Sequence, residues 1–164
     1  MIKALLLCAG KGTRLGLKKT PKCMVKVSGK PILEHIVDHL NNYGVTEIIV
    51  NLHINPKKVM DYFGTRLLYS FEPKPLGCEK SILGLHKWLG DRFIVANGDT
   101  ITNVNLYEMM RFYPSCRFIG SQGRFAGTEI VHFNSTPKDY YQEDAFYFDC
   151  NTPAKLSRAR KYFK

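Results

Sequence analysis

A chain of 164 residues has the length of one ordinary domain and can bury a sizeable core. Its composition, 45% hydrophobic and 23% charged with no low-complexity tract or solenoid-period repeat, excludes disordered, collagenous and repeat architectures. Lys and Arg outnumber Asp and Glu 24 to 14, so the net charge of +10 favours polyanionic ligands such as nucleotides, although the basic residues are dispersed along the chain.

Residues 2–8 form a continuous apolar run of the kind buried on both faces of a parallel sheet, and a Gly-rich turn follows at once. Residues 31–43 place Ile32, Leu33, Ile36, Val37, Leu40 and Tyr43 at helical spacing, with Pro31 at a favoured first-turn position and Gly44 as the stop. The pattern then predicts a strand over 46–52, a short helix over 56–63, a strand over 66–71, a helix over 81–89, a strand over 92–96 and a helix over 106–113. Alternating strands and helices imply βαβ units and a mostly parallel sheet with helices on both faces, a three-layer Rossmann-like α/β fold. Beyond 113 the pattern changes to short strands over 117–120, 129–133 and 145–148, followed by a helix from Pro153 with Leu156, Ala159 and Phe163 on one face.

The apolar run over 4–9 is too short to span a bilayer and lacks a signal peptide's extended apolar region, which predicts a cytoplasmic protein without membrane contact. Five cysteines, an odd number with no CxxC pair, predict reduced thiols and no structural zinc. His35 and His39 are four apart on one predicted helix, but no third ligand accompanies them.

The segment Ala9-Gly10-Lys11-Gly12-Thr13-Arg14-Leu15 leaves a buried strand, so its backbone N–H groups can wrap phosphate oxygens while Arg14 offers a fork of donors. It is neither a P-loop nor a dinucleotide fingerprint, because Leu15 stands where each would need a glycine. Followed by Thr20-Pro21-Lys22, it resembles the signature of the sugar-phosphate nucleotidyltransferases, L-A-G-G-x-G-T-R-L and then P-K. The similarity continues through Gly29-Lys30-Pro31-Ile32-Leu33-Glu34-His35, Val50-Asn51-Leu52-His53, Glu72-Pro73-Lys74-Pro75-Leu76-Gly77, Asn97-Gly98-Asp99-Thr100 and Asp149-Cys150-Asn151-Thr152-Pro153.

The resemblance implies a single domain of the nucleotide-diphospho-sugar transferase type over residues 1–164. It implies that Ala9, Gly10, Lys11, Gly12, Thr13 and Arg14 bind a nucleoside triphosphate, that Glu72 and Gly77 pass its base, and that Lys22 bridges it to the incoming phosphate. Asp99 and Asp149 would share Mg²⁺, a hard cation suited to carboxylate and phosphate oxygens, and Arg14, Lys22 and Asp99 would carry catalysis. The acceptor implied is a hexose or heptose 1-phosphate; a carboxylate at Glu72 can accept from guanine's N1–H and amino group or from cytosine's amino group, with a lean towards guanine. A cytidylyltransferase-type enzyme for a non-sugar phosphate is the enzymatic alternative, and a catalytically reduced nucleotide- or nucleic-acid-binding module the non-enzymatic one. A homo-oligomer is compatible with the sequence, and nucleic acid is not the expected partner.

The sequence also departs from the family pattern. The Asp99–Asp149 interval is about half the expected length. Residues 130–137 resemble I-x-x-F-x-E-K-P with Ser135 and Thr136 replacing the sugar-contacting Glu and Lys, Cys78-Glu79-Lys80 replaces T-A-G after Gly77, and Asn151 replaces the glycine of D-x-G-T-P, a position whose backbone angles Asn tolerates. A smaller acceptor, altered nucleotide geometry or reduced activity would each follow.

Overall fold

A computed structural model describes residues 2–112, 114–120 and 123–164. The apolar run at the amino terminus becomes β1 (Lys3–Leu7), with Ala4, Leu5 and Leu6 fully buried. After it come a small hairpin of β2 (Lys26–Val27) and β3 (Lys30–Pro31), then α1 (Ile32–Asn42), β4 (Glu47–Leu52), α2 (Pro56–Phe63), β5 (Leu68–Phe71), α3 (Cys78–Leu89) and β6 (Arg92–Asn97). The remainder comprises β7 (Thr100–Thr102), α4 (Leu106–Phe112), β8 (Cys116–Ile119), β9 (Phe125–His132), β10 (Lys138–Tyr141), β11 (Tyr147–Asp149) and α5 (Pro153–Tyr162).

Seven strands form the main sheet in the order β10-β8-β9-β6-β1-β4-β5, and β9 alone among them runs against the others. Strands β11 and β7 form a separate antiparallel pair. Period-two alternation divides the central strands between two layers of helix. Leu5, Ile49, Phe93 and Val95 face one side, where Ile82, Leu85 and Trp88 of α3 pack. Ala4, Leu6, Val50, Ile94 and Ala96 face the other, which α1, α2, α4 and α5 cover. The expected three-layer α/β arrangement is what forms, and no helix among the described residues is long and apolar enough to cross a membrane.

The differences from the sequence expectation lie where periodicity is weak. Helix α3 starts at Cys78 rather than residue 81, immediately after Gly77 at φ 88°. Helix α4 is described to Phe112, and Tyr113, the expected last residue, lies outside the described residues. Strand β9 begins at Phe125 instead of 129, and β10, whose Lys-Asp-Tyr-Tyr sequence has no apolar face, was not predicted at all. An edge strand with an exposed side needs no alternation, so its sequence carries no signal.

Candidate active site

The chain runs from β1 to β4 and β5 on one side, then returns to β6 on the other side of β1. In open α/β sheets this switch of direction leaves a crevice at the carboxyl ends of the strands, where ligands bind. The strand ends are laced together there: the Gly98 N–H donates to the Leu7 carbonyl at 3.0 Å and the Cys8 N–H to the Asn51 carbonyl at 3.1 Å. Gly98 is required by close approach, because a Cβ there would collide with Cys8 Sγ and the Leu7 carbonyl. Side-chain hydrogen bonding with Cys23 and burial push the Cys8 thiol well above its ordinary range, so it is a neutral packing group.

Three cavities open along this edge and Asp99 lines all of them. The first, 210 Å³, is enclosed by the loop from Gly10 to Arg14 together with Lys22, Asp99 and Asn151. Gly12 adopts φ 65° and starts a 3₁₀ turn over Thr13–Leu15. The N–H groups of Leu15, Gly16 and Leu17 are spent on Gly12 and Thr13 carbonyls, while those of Gly10 to Arg14 have no acceptor among the described residues. Such a run of unpaired N–H groups is an anion-binding nest. A second 3₁₀ turn, Lys22–Met24, delivers Lys22 across the cavity to form an ion pair with Asp99, and the two side chains are 12% and 24% exposed.

The second cavity, 270 Å³, lies between Ala9 and Gly10 on one side and Glu72, Gly77, Cys78 and Ser81 on the other. Glu72 is 7% exposed, and its carboxylate accepts from Asn51 Nδ2 at 2.6 Å, from Ser81 Oγ and from the Leu76 N–H at 2.9 Å. Burial opposes its ionisation, but the hydrogen bonds from Ser81, Asn51 and Leu76 outweigh that and hold its pKa below the ordinary value. Glu72 therefore braces the loop over 73–77, a role that sequence reading missed. Neither Glu79 nor Lys80 lines the cavity: both are exposed on the first turn of α3, while Cys78 and Ser81 face inward. The bulky charged replacements after Gly77 thus leave this cavity open.

Asp149 and Asp99, fifty positions apart, are brought together by the β11–β7 ladder, in which Asp149 pairs with Thr100 and the Cys150 N–H donates to the Asp99 carbonyl at 2.8 Å. Gly127 permits this packing, because at φ 83° it lies so close to Thr100 that any side chain would collide. Burial, then the charges of Asp99 and Asp149, push the Cys150 thiol up to about 12. Asp149 Oδ2 accepts from Asn151 Nδ2 at 2.6 Å and Lys155 Nζ at 2.8 Å, whereas Asp149 Oδ1 and Asn151 Oδ1 are buried without a partner among the described residues. Two orphaned oxygen acceptors beside a second carboxylate fit a hard cation. Asn151 does not have positive φ, so the position does not require a glycine's backbone freedom.

The third cavity, 630 Å³, extends from Asp99 past Gly127, Phe146, Asp149 and Arg158. Arg14, Asn97, Asp99, Thr100, Asp149 and Asn151 of its lining belong to the motifs read from the sequence; the run from Arg124 to Gly127 and the α5 side chains Lys155 and Arg158 do not, because they match no motif. Sequence reading also misplaced Ser135 and Thr136. Strand β9 runs antiparallel, pairing Thr128 with Ala96 near the crevice and His132 with Arg92 at the far end, and the Phe133 N–H donates to the Asp91 carbonyl at 3.2 Å. The turn carrying Ser135 and Thr136 therefore lies at the opposite edge of the sheet from Asp99.

Comparison with known proteins agrees with this geometry. Residues 4–112 match the model of the MobA-like NTP transferase domain. The chain is 37% identical over 137 residues to the bifunctional protein GlmU of Methanococcus maripaludis strain C7, covering 80% of this chain and 33% of that protein. It is 33% identical over 115 residues to the D-glycero-alpha-D-manno-heptose 1-phosphate guanylyltransferase of Campylobacter jejuni, covering 66% and 52%. The chain thus spans about a third to a half of the length of these curated relatives. The crystal structure of HddC from Yersinia pseudotuberculosis complexed with GMP-PN superposes with a TM-score of 0.83 at 22% identity, covering all of both chains, which is a likeness of fold. With its motifs gathered at one sheet edge and two thirds of its length matched, the chain belongs to the MobA-like NTP transferase domain family, among relatives that are sugar-phosphate nucleotidyltransferases.

Proposed function

We propose that the chain transfers a nucleoside monophosphate from a nucleoside triphosphate to the phosphate of a sugar 1-phosphate, releasing pyrophosphate. The observation that carries this reading is the position of Asp99, which lines a nest-like cavity, a base-sized cavity and a larger third cavity at once. The triphosphate lies against the N–H groups of Gly10, Lys11, Gly12, Thr13 and Arg14, with the Arg14 guanidinium on its outer phosphates. An oxygen of the acceptor phosphate attacks the α-phosphorus, and the bond to the leaving pyrophosphate breaks. Lys22 spreads positive charge over both reacting phosphates from its ion pair with Asp99. Catalysis is positioning plus electrostatics, with no covalent enzyme intermediate.

Asp99, Asp149 Oδ1 and Asn151 Oδ1 would hold Mg²⁺, as the family's usual dependence on metal suggests. When bound, the ion neutralises phosphate charge that builds up as the bond to pyrophosphate breaks. Asn151 and Lys155 orient Asp149 by anchoring its other oxygen.

Guanine is the favoured base. The orphaned Asn51 Oδ1 and the remaining lone pair of Glu72 are acceptors at the second cavity, and guanine's N1–H and amino group present adjacent donors. The guanylyltransferase named among the relatives, a heptose 1-phosphate enzyme, points the same way. Pyrophosphate release with Mg²⁺, four nucleoside triphosphates and a panel of hexose and heptose 1-phosphates tests the reading, with Asp99→Asn as blank. Release above blank with GTP and one sugar phosphate is expected; silence with every pair despite triphosphate binding would overturn it.

A further inference from the structure

The charges of the 630 Å³ cavity do not balance. Its two carboxylates are already matched, Asp99 by Lys22 and Asp149 by Lys155. Three guanidinium groups line it as well, those of Arg14, Arg124 and Arg158, and none has a hydrogen-bond or ion-pair partner among the described residues. Arg14 also reaches the 210 Å³ cavity, where the triphosphate accounts for it. Arg124 and Arg158 do not, and they leave two uncompensated positive charges facing the acceptor space.

Their placement suits a ligand rather than solvent alone. Arg158 follows Lys155 by three on α5, so both side chains leave one helix face, while Arg124 comes from the segment just before β9. Phe125, Phe146 and Phe148 supply an aromatic surface in the same cavity. Aromatic rings fit the apolar face of a sugar ring, but they give no use to two unpaired guanidinium groups. A guanidinium is a preorganised fork for a planar or tetrahedral oxyanion.

We propose that the acceptor carries a second anionic group, a carboxylate or a second phosphate, beyond the phosphate that reacts, and that Arg124 and Arg158 bind it. This rests on the nucleotidyl-transfer reading for the position of the reacting phosphate. A second anionic group also cancels the charge of the two guanidinium groups that the single reacting phosphate of an ordinary sugar 1-phosphate leaves unmatched.

Calorimetric titration with Mg²⁺ and a non-hydrolysable GTP analogue, using glucose 1-phosphate, glucuronic acid 1-phosphate and glucose 1,6-bisphosphate as probes, tests this directly. At least one doubly anionic probe should bind about tenfold or more tighter than glucose 1-phosphate, the effect of one charge-assisted hydrogen bond. Which of the two wins tells carboxylate from phosphate. The double variant R124Q/R158Q should erase the preference, whereas K161Q/K164Q, which removes the same charge from the end of α5 and the carboxyl terminus, should keep it. Equal binding of all three probes, binding of none, or equal loss of preference in both double variants would overturn the proposal. Pyrophosphate release measured in parallel separates the two readings: tight, selective binding without turnover by any pair would sink nucleotidyl transfer and leave the anion specificity standing.

Discussion

The proposed nucleotide side and the proposed acceptor side of the crevice are built in different ways. On the nucleotide side the working groups come from short continuous segments, Gly10 to Arg14 after β1 and Glu72 to Gly77 after β5, each braced locally by its own hydrogen bonds. On the proposed acceptor side they come from segments far apart in the chain, Arg124 to Gly127, Ala145 to Asp149 and one face of α5, and are assembled by an antiparallel ladder and by Gly127 packing on Thr100. A phosphate nest requires consecutive backbone N–H groups, which ties it to a motif, whereas an acceptor pocket needs only side chains that converge. This is also where the family match divides: residues 4–112 are matched, and the acceptor elements lie beyond.

Four variants sharpen the contrast. Asp99 belongs to both sides, so Asp99→Asn should show the largest effect. Turnover should fall about 10²–10³-fold, with the unfolding midpoint in a thermal melt nearly unchanged; retained turnover would remove the residue from its proposed role. Asn151→Gly restores the family's residue but removes both the brace on Asp149 Oδ2 and an orphaned oxygen. Divalent-ion binding, followed by Mn²⁺ electron paramagnetic resonance, should weaken about 10–100-fold, and an unaltered titration would show that Asn151 plays no part in holding the ion.

Glu72→Gln probes the brace of the base loop. It should lower stability by about 1–3 kcal/mol at pH 7, because a buried carboxylate with three donors is replaced by an amide that must turn one NH₂ towards them. The pH dependence has a definite sign. Since the folded pKa of Glu72 lies below the ordinary 4.5, its contribution is complete above that value and is lost as pH falls through the folded value. Urea denaturation from pH 7 to 3 should therefore show a shallower acid limb in the variant, and parallel curves would refute the assignment. The smallest effect belongs to Ser135→Ala with Thr136→Ala: at the far edge of the sheet these should change neither turnover nor stability by more than about 0.5 kcal/mol. A marked loss of acceptor affinity would mean that the sequence pattern, and not the antiparallel direction of β9, locates the acceptor.

The particular elements explain which expectations succeeded. Helix α1 was legible because Ile32, Leu33, Ile36, Val37 and Leu40 repeat at 3.6 residues and all are buried. Strands β1, β4 and β6 were legible because central parallel strands are apolar on both faces. Strand β10 and the full length of β9 were not, since edge position and antiparallel direction leave little trace in hydrophobic pattern. Asp99 and Asp149 were each recognisable from their neighbours and were expected to meet; what the spacing did not show is the β11–β7 ladder that brings them together.

By itself, then, the amino-acid sequence determined the layered α/β core and the Gly-rich loop after β1, because both depend on contiguous residues whose periodicity or backbone conformation is local. Tertiary structure alone decided that Glu72 is a brace, that Ser135 and Thr136 face away, and that Arg124 and Arg158 share a cavity with Asp99. Each of those depends on strand direction and on which partner a side chain meets across the fold, and neither quantity is encoded by spacing along the chain.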